Sequence, residues 1–292
     1  MKNQDRRGPP GPPGQGNKRP LRPQDEHARR RIERRERGVS QTDDRDRETF
    51  VCGLHAALAV LQRRPEAIRR VFHTAPRRLD VAPLLAVCVK RRLPYNEVPP
   101  DVLETIVKTT HHGGVAVFID PVPLVTLDAF VRTLPRSAVV LAVDGVGNPH
   151  NLGAILRSAA WFGAAGVVLP LEPNQARLSP AAMRVAEGGA EVVACVGVPS
   201  LEKALERLAA AGVTLVAAEA GSATSPFATP LPRPVCIVLG NEERGVRPPL
   251  RLLCKRTVSI PGTGAVESLN VSVAAGILLA AATHGPVEPS QG

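Results

Sequence analysis

Aromatic side chains are scarce in this chain: Phe, Tyr and Trp together make up 3% of 292 residues, with one Tyr (Tyr95) and one Trp (Trp161). That scarcity excludes a platform of exposed rings on which single-stranded bases stack. No run approaches the roughly 20 uninterrupted apolar residues that a membrane-spanning helix needs. The amino-terminal stretch is rich in Arg, Gly and Pro and lacks a hydrophobic signal segment, so a cytoplasmic location with no membrane partner is expected. The five cysteines, Cys52, Cys88, Cys195, Cys236 and Cys254, form no CxxC pair and sit mostly in apolar runs, which reads as buried reduced thiols. No GxGxxG follows a strand pattern and no GxxxxGK(S/T) occurs, so dinucleotide and P-loop chemistry have no support. The adjacent His111 and His112 have no Cys, His or Asp partner at ligand spacing, and no metal is expected.

Positive charge is what the chain has in excess. A formal net charge of +10 and a pI near 10.1 point to an acidic partner, with nucleic acid the leading candidate because phosphates dominate such binding. Residues 1 to 48 carry 14 Lys/Arg against 9 Asp/Glu and almost no large apolar side chain. Such a segment buries too little surface to offset its ordering entropy and reads as a disordered basic tail. Its arginine-rich run at 29 to 35 suits helix formation on RNA; a solvated tail without a specific partner is an equal alternative.

The remaining length is enough for two domains. From 49 to 120 the pattern alternates short pieces. Helices are expected at 53 to 63, 79 to 92 and 101 to 108, with extended runs at 68 to 74, 95 to 98 and 115 to 119. Residues 121 to 136, punctuated by Pro121, Pro123 and Pro135, read as a linker. From 137 to 285 the alternation becomes regular. Strands are expected at 139 to 143, 166 to 169, 192 to 196, 214 to 218, 235 to 239 and 257 to 260. Helices are expected at 151 to 162, 180 to 187, 201 to 211, 248 to 254 and 269 to 283. This pattern implies an α/β domain with a mostly parallel sheet covered on both faces, whose ligands gather at the carboxyl ends of the strands.

Two regions carry the candidate chemistry. NLGAILRSA at 151 to 159 holds Asn151 and Arg157; LGNEERG at 239 to 245 and IPGTGAVESLN at 260 to 270 hold Glu242, Ser268 and Asn270. Each sets a few polar side chains among apolar residues, and glycines in these segments let backbone approach a ligand closely. An Asn followed six residues later by Arg, then Gly-x-Glu, then Ser-Leu-Asn after Ile-Pro, resembles the SpoU/TrmH family of RNA ribose 2′-O-methyltransferases. The resemblance covers about half the chain, and all three motifs are present in order. Residues 49 to 120 are similar, more loosely, to the L30e-like substrate-binding domain that precedes the catalytic domain in many members. His111-His112-Gly113-Gly114-Val115 stands at the place of their His-Gln-Gly-Val element, with Gly113 replacing the Gln.

The resemblance implies a C-terminal trefoil knot of the SPOUT type, S-adenosylmethionine as methyl donor, RNA as substrate with rRNA favoured over tRNA, and a homodimer that completes the site. It implies that Leu239, Gly240, Ile260 and Leu269 hold the donor. It makes Arg157, Asn151, Glu242, Ser268 and Asn270 the catalytic set. On this reading Asn151 orients Arg157 or the ribose, with a helix N-cap as its alternative role, and Glu242 holds Arg157 or Asn270. Ser268 and Asn270 begin the final helix, where either can cap it. The competing functional class is an RNA-binding protein of the same fold without turnover. Survival of all the reactive side chains favours the enzyme.

Overall fold

Four short apolar runs pair into a first, small sheet. The computed structural model describes residues 48–284, and within it β1 (Thr49–Cys52), β2 (Ile68–His73), β3 (Tyr95–Glu97) and β4 (Val115–Ile119) lie in the order β1-β4-β2-β3. β4 is buried along its whole length because it pairs antiparallel with both β1 and β2. Helices α1 (Leu54–Arg63), α2 (Ala82–Arg91) and α3 (Pro100–Val107) connect these strands. The basic tail read from residues 1 to 48 lies outside the described residues except for Glu48, which pairs with Arg70 at 3.3 Å. β1 escaped the sequence pattern: four residues next to a charged stretch show no period of their own, and they become a strand only by pairing with β4.

In the His111 element, His112 is buried and its Nδ1 accepts a hydrogen bond from the Gly114 N–H at 3.0 Å, while Arg77 donates to the Gly113 carbonyl at 3.0 Å. These residues close a turn. Among the described residues there is no group of three or more His, Cys, Asp or Glu suited to hold a metal, and no helix long and apolar enough to cross a membrane.

The stretch from 121 to 136 contains a helix that composition concealed. Thr126 caps α4 (Leu127–Thr133) by accepting from the Ala129 N–H, and Phe130 is buried beneath it. The prolines flank this helix and leave its interior free of them.

The second sheet is entirely parallel. Its strands are β5 (Val139–Val143), β6 (Gly166–Pro170), β7 (Ala194–Val198), β8 (Thr214–Ala218), β9 (Val235–Leu239) and β10 (Arg256–Val258), in the order β10-β8-β9-β5-β6-β7. Side chains alternate faces along each strand. Val139, Leu141, Val143, Val235, Ile237 and Leu239 enter one core, and Val140, Ala142, Cys236 and Val238 enter the other. Helices α5 (Pro149–Trp161), α6 (Pro180–Ala186) and α9 (Val271–His284) cover the first face; α7 (Leu201–Ala210) and α8 (Pro248–Leu253) cover the second. Leu152, Ile155, Leu156 and Ala159 on α5, like Leu201, Ala204, Leu205 and Leu208 on α7, recur at three- and four-residue spacing and form the buried stripes. All five cysteines are buried, and burial raises their thiols, Cys195 to about 12, which keeps them as inert thiols near neutral pH.

The short segment after α6 packs against both sheets' helices. A Cβ at Gly188 would overlap that of Ala59 on α1, and a Cβ at Gly189 would stand 2.7 Å from the Leu156 carbonyl oxygen on α5. Arg64 at the end of α1 grips the same segment, donating to both oxygens of Glu191 at 2.6 and 2.9 Å. The Glu191 side chain is 1% exposed, and its bond is the chief reason the Arg64 guanidinium is held above its ordinary pKa. Gly189→Ala must push α5 away from the segment and is expected to destabilise the protein by about 1–3 kcal/mol, the usual cost of overpacking. Urea denaturation of the full chain measures it; a loss under about 0.5 kcal/mol would show that the contact yields easily.

Candidate active site

β8, β9 and β10 end side by side, and the chain beyond each end opens into a loop. These loops, at 219–221, 240–246 and 259–269, line a cleft of about 740 Å³. That volume falls in the range of small-molecule sites, roughly 300–1,000 Å³. Leu239, Gly240, Glu242, Ile260, Ser268 and Leu269, all singled out from the sequence, line it. Gly221, Gly262 and Gly264 also line it, and a Cβ on any of them would meet no atom within 4 Å, so the glycines leave open space that side chains would otherwise take. Ile260 lies past the end of β10, which stops two residues earlier than the apolar pattern suggested.

The loop's own path requires Gly240 to be glycine. A Cβ there would overlap the Gly245 carbonyl and the Val246 nitrogen, so what approaches Gly240 is the loop's own returning backbone. The loop closes through Asn241 and Gly245, whose N–H groups donate to each other's carbonyls at 3.1 and 2.9 Å. The Asn241 side chain completes the turn. Its amide donates to the Gly145 carbonyl at 3.0 Å, and its oxygen accepts from the Glu243 N–H at 3.0 Å and the Arg244 N–H at 3.3 Å. Asn241 thus ties the cleft's wall to the end of β5, a role the sequence motif did not assign.

Beside the cleft three side chains from the separated motifs join. Asn151 donates to Glu242 Oε1 at 2.6 Å, and Asn270 donates to Asn151 Oδ1 at 3.1 Å. Asn270 in turn accepts from the Ser272 N–H at 2.9 Å and its hydroxyl at 2.6 Å, which caps the start of α9 at Val271. Two expectations are corrected here. Glu242 holds Asn151, where Arg157 or Asn270 was expected. Asn151, expected to orient Arg157 or the ribose, bonds Glu242 and Asn270 and not Arg157; its alternative role as helix cap falls to Asn148, which accepts from the His150 N–H at 2.8 Å while Asn151 lies inside α5.

Arg157 points elsewhere. Six residues along an α-helix turn the chain through about 600°, which leaves Arg157 some 120° around α5 from Asn151. Its Nη2 pairs with Glu187 Oε2 at 2.9 Å, and it does not line the cleft of its own chain. Glu187 therefore does the holding expected of Glu242.

A further ion pair missed by the sequence motif braces the loop from behind. Asp144, 1% exposed at the end of β5, accepts from the Arg247 N–H at 2.8 Å and from its Nε at 2.6 Å, while Arg247 Nη1 reaches Glu172 at 3.1 Å. Burial works against the charge on Arg247, but the bonds to Asp144 and Glu172 outweigh it and raise its pKa.

Comparison with known proteins fits this geometry. Residues 138–280 match the SpoU rRNA Methylase family, and residues 50–125 match the domain described as RNA 2′-O ribose methyltransferase substrate binding. A 23S rRNA (guanosine-2′-O-)-methyltransferase RlmB of Pseudomonas putida is 33% identical over 235 residues, covering 78% of this chain and 93% of that protein. The Nitrosomonas europaea protein of the same name is 36% identical, covering 79% and 89%. An AdoMet-bound rRNA methyltransferase from Sinorhizobium meliloti superposes with a TM-score of 0.68 at 25% identity, covering 82% of this chain and 87% of its own. A glycine-lined cleft at the strand ends of a domain that matches the SpoU methylases, in a chain that also carries their substrate-binding domain, marks an RNA methyltransferase. The chain belongs to the SpoU family of RNA ribose 2′-O-methyltransferases, and its methyl donor is S-adenosylmethionine.

Proposed function

We propose that this enzyme methylates the ribose 2′-hydroxyl of a guanosine in 23S rRNA, with the reaction assembled between two copies of the chain. The named target of the relatives supports the substrate. The observation that carries the mechanism is the bridge Glu242–Asn151–Asn270, which joins all three motif regions at the mouth of the cleft.

When bound, S-adenosylmethionine supplies an electrophilic methyl group on a sulfonium. Leu239, Gly240, Ile260 and Leu269 hold it, and the open glycine positions fit a ligand of that size. Asn151 and Asn270 present amide groups to the ribose, and Glu242 fixes their orientation. Ser268 contacts the substrate or donor from the cleft wall. Arg157 binds the adjacent phosphate and stabilises charge developing on the 2′-oxygen. A guanidinium stays protonated in proteins, so the hydroxyl proton passes to phosphate or water and not to Arg157.

The position of Arg157 off its own cleft supports the homodimer: the arginine of one protomer serves the donor bound by the other. Trp161 (84% exposed) at the end of α5, with Val266, Leu269 and Val273 on or beside the cleft loops and α9, offers apolar surface for that interface. The chain after β9 forms the trefoil knot, the small sheet and its helices are the L30e-like RNA-binding domain, and the enzyme works in the cytoplasm.

Mixing protomers tests the arrangement. An Arg157→Ala protein and a donor-site variant, Gly240→Ala, assayed at donor concentrations well below the dissociation constant of Gly240→Ala so that each alone turns over poorly, are expected to regain up to about a quarter of wild-type turnover when refolded together, because half of randomly paired dimers hold one intact site. No recovery, with mixed dimers verified by differential tags, would overturn the shared site.

A further inference from the structure

The ion partner of Arg157 stands at the turn that ends α6. Glu187 follows α6 with φ 45, a left-handed conformation that Glu seldom adopts, and Gly188 follows at φ 91. The segment is held on both sides. Gly188 packs on Ala59 of the substrate-binding domain, Gly189 packs on Leu156 of α5, and Glu191 is locked by Arg64. His55 Nδ1, at the start of α1, approaches the same Glu187 oxygen at 3.5 Å. Both ends of the Arg157–Glu187 contact therefore stand on anchored backbone, although both side chains are partly exposed, at 58% and 39%. An exposed ion pair contributes little to stability. The left-handed turn at Glu187 ends α6, its N–H bonding the Arg184 carbonyl, and with the anchored segment after it fixes where the carboxylate stands beside Arg157.

We propose that Glu187 is a positioning residue for methyl transfer: its carboxylate takes one terminal nitrogen of Arg157 and aims the rest of the guanidinium fork at the ribose and phosphate. This rests on the reading of Arg157 as the group that stabilises the reacting oxygen. Two of the anchors, Ala59 and Arg64, belong to the substrate-binding domain, so the docked domain fixes the arginine's orientation as well as the RNA. Neither Gly-x-Glu nor the Asn/Arg motif includes Glu187.

The test uses the full chain with Glu187→Asn and Glu187→Gln beside Arg157→Ala. Asn tolerates the left-handed backbone but is too short to reach Arg157, and Gln keeps the reach and an acceptor oxygen without the charge. The expected result is a tenfold loss of kcat for Glu187→Asn and a two- to fivefold loss for Glu187→Gln. Donor affinity, KM for RNA and melting temperature should stay near wild type. A Glu187→Asn enzyme within twofold of wild-type kcat, while Arg157→Ala is inactive, would overturn the proposal and leave the role of Arg157 intact. Should Glu187→Asn not fold, Glu187→Gln decides alone, and a kcat equal to wild type overturns the proposal. Substantial turnover by Arg157→Ala would instead remove the reading on which it stands.

Discussion

Arg157→Ala is expected to lower kcat by about 10²–10³-fold, the usual effect of removing a preorganised group from developing oxyanion charge, while leaving the affinity for S-adenosylmethionine unchanged. The second half follows from the role proposed for Arg157, which meets the ribose and its phosphate and not the donor in either protomer's cleft. Arg157 lies on a different side of α5 from Asn151 and contributes no surface to the cleft of its own chain. Truncating it removes an exposed ion pair with Glu187, so folding stability should change by less than about 1 kcal/mol. Single-turnover methyl transfer and calorimetric titration of the donor separate the two quantities. A variant that turns over within tenfold of wild type would remove Arg157 from the chemistry.

Gly240→Ala is expected to do the reverse and strike the donor first. The new methyl group has no room between Gly240 and the Gly245–Val246 backbone. The turn closed by the Asn241–Gly245 pair must open, and that turn carries Glu242 and the wall of the cleft. Overpacking of this kind costs about 1–3 kcal/mol. If most of it falls on the bound conformation, the donor dissociation constant rises about 5- to 150-fold, at 1.4 kcal/mol for each factor of ten. Because the obstacle is backbone, no flexible side chain can swing away to absorb it. An unchanged donor affinity in the folded variant would mean that the loop does not shape the donor site.

Much of the fold was legible because the strands are short apolar runs separated by amphipathic helices. β5, β8 and β9 follow directly from short unbroken apolar runs, and α5 and α7 from period 3.6. The errors have local causes. β7 begins at Ala194, two residues later than expected, because a 3-10 turn at Gly189–Glu191 leads into a continuous apolar run in which no polar residue marks the boundary. α4 was hidden by prolines that sit outside it. At the site, the motif glycines and the Asn/Glu/Asn residues came together because each lies at a strand end or helix start. Arg157 did not join them, and helical geometry already forbade it: residues six apart share no face. Glu187, Asn241 and Asp144 were invisible as functional positions because nothing in their local sequence announces a partner 30 to 103 residues away.

The most direct test of the account is transfer of labelled methyl from S-adenosylmethionine to rRNA and tRNA taken from a strain lacking this protein, followed by digestion to nucleosides. The account predicts label in 2′-O-methylguanosine from 23S rRNA and in no base-methylated nucleoside. Label on a base, or no label from protein that binds the donor normally, would contradict it.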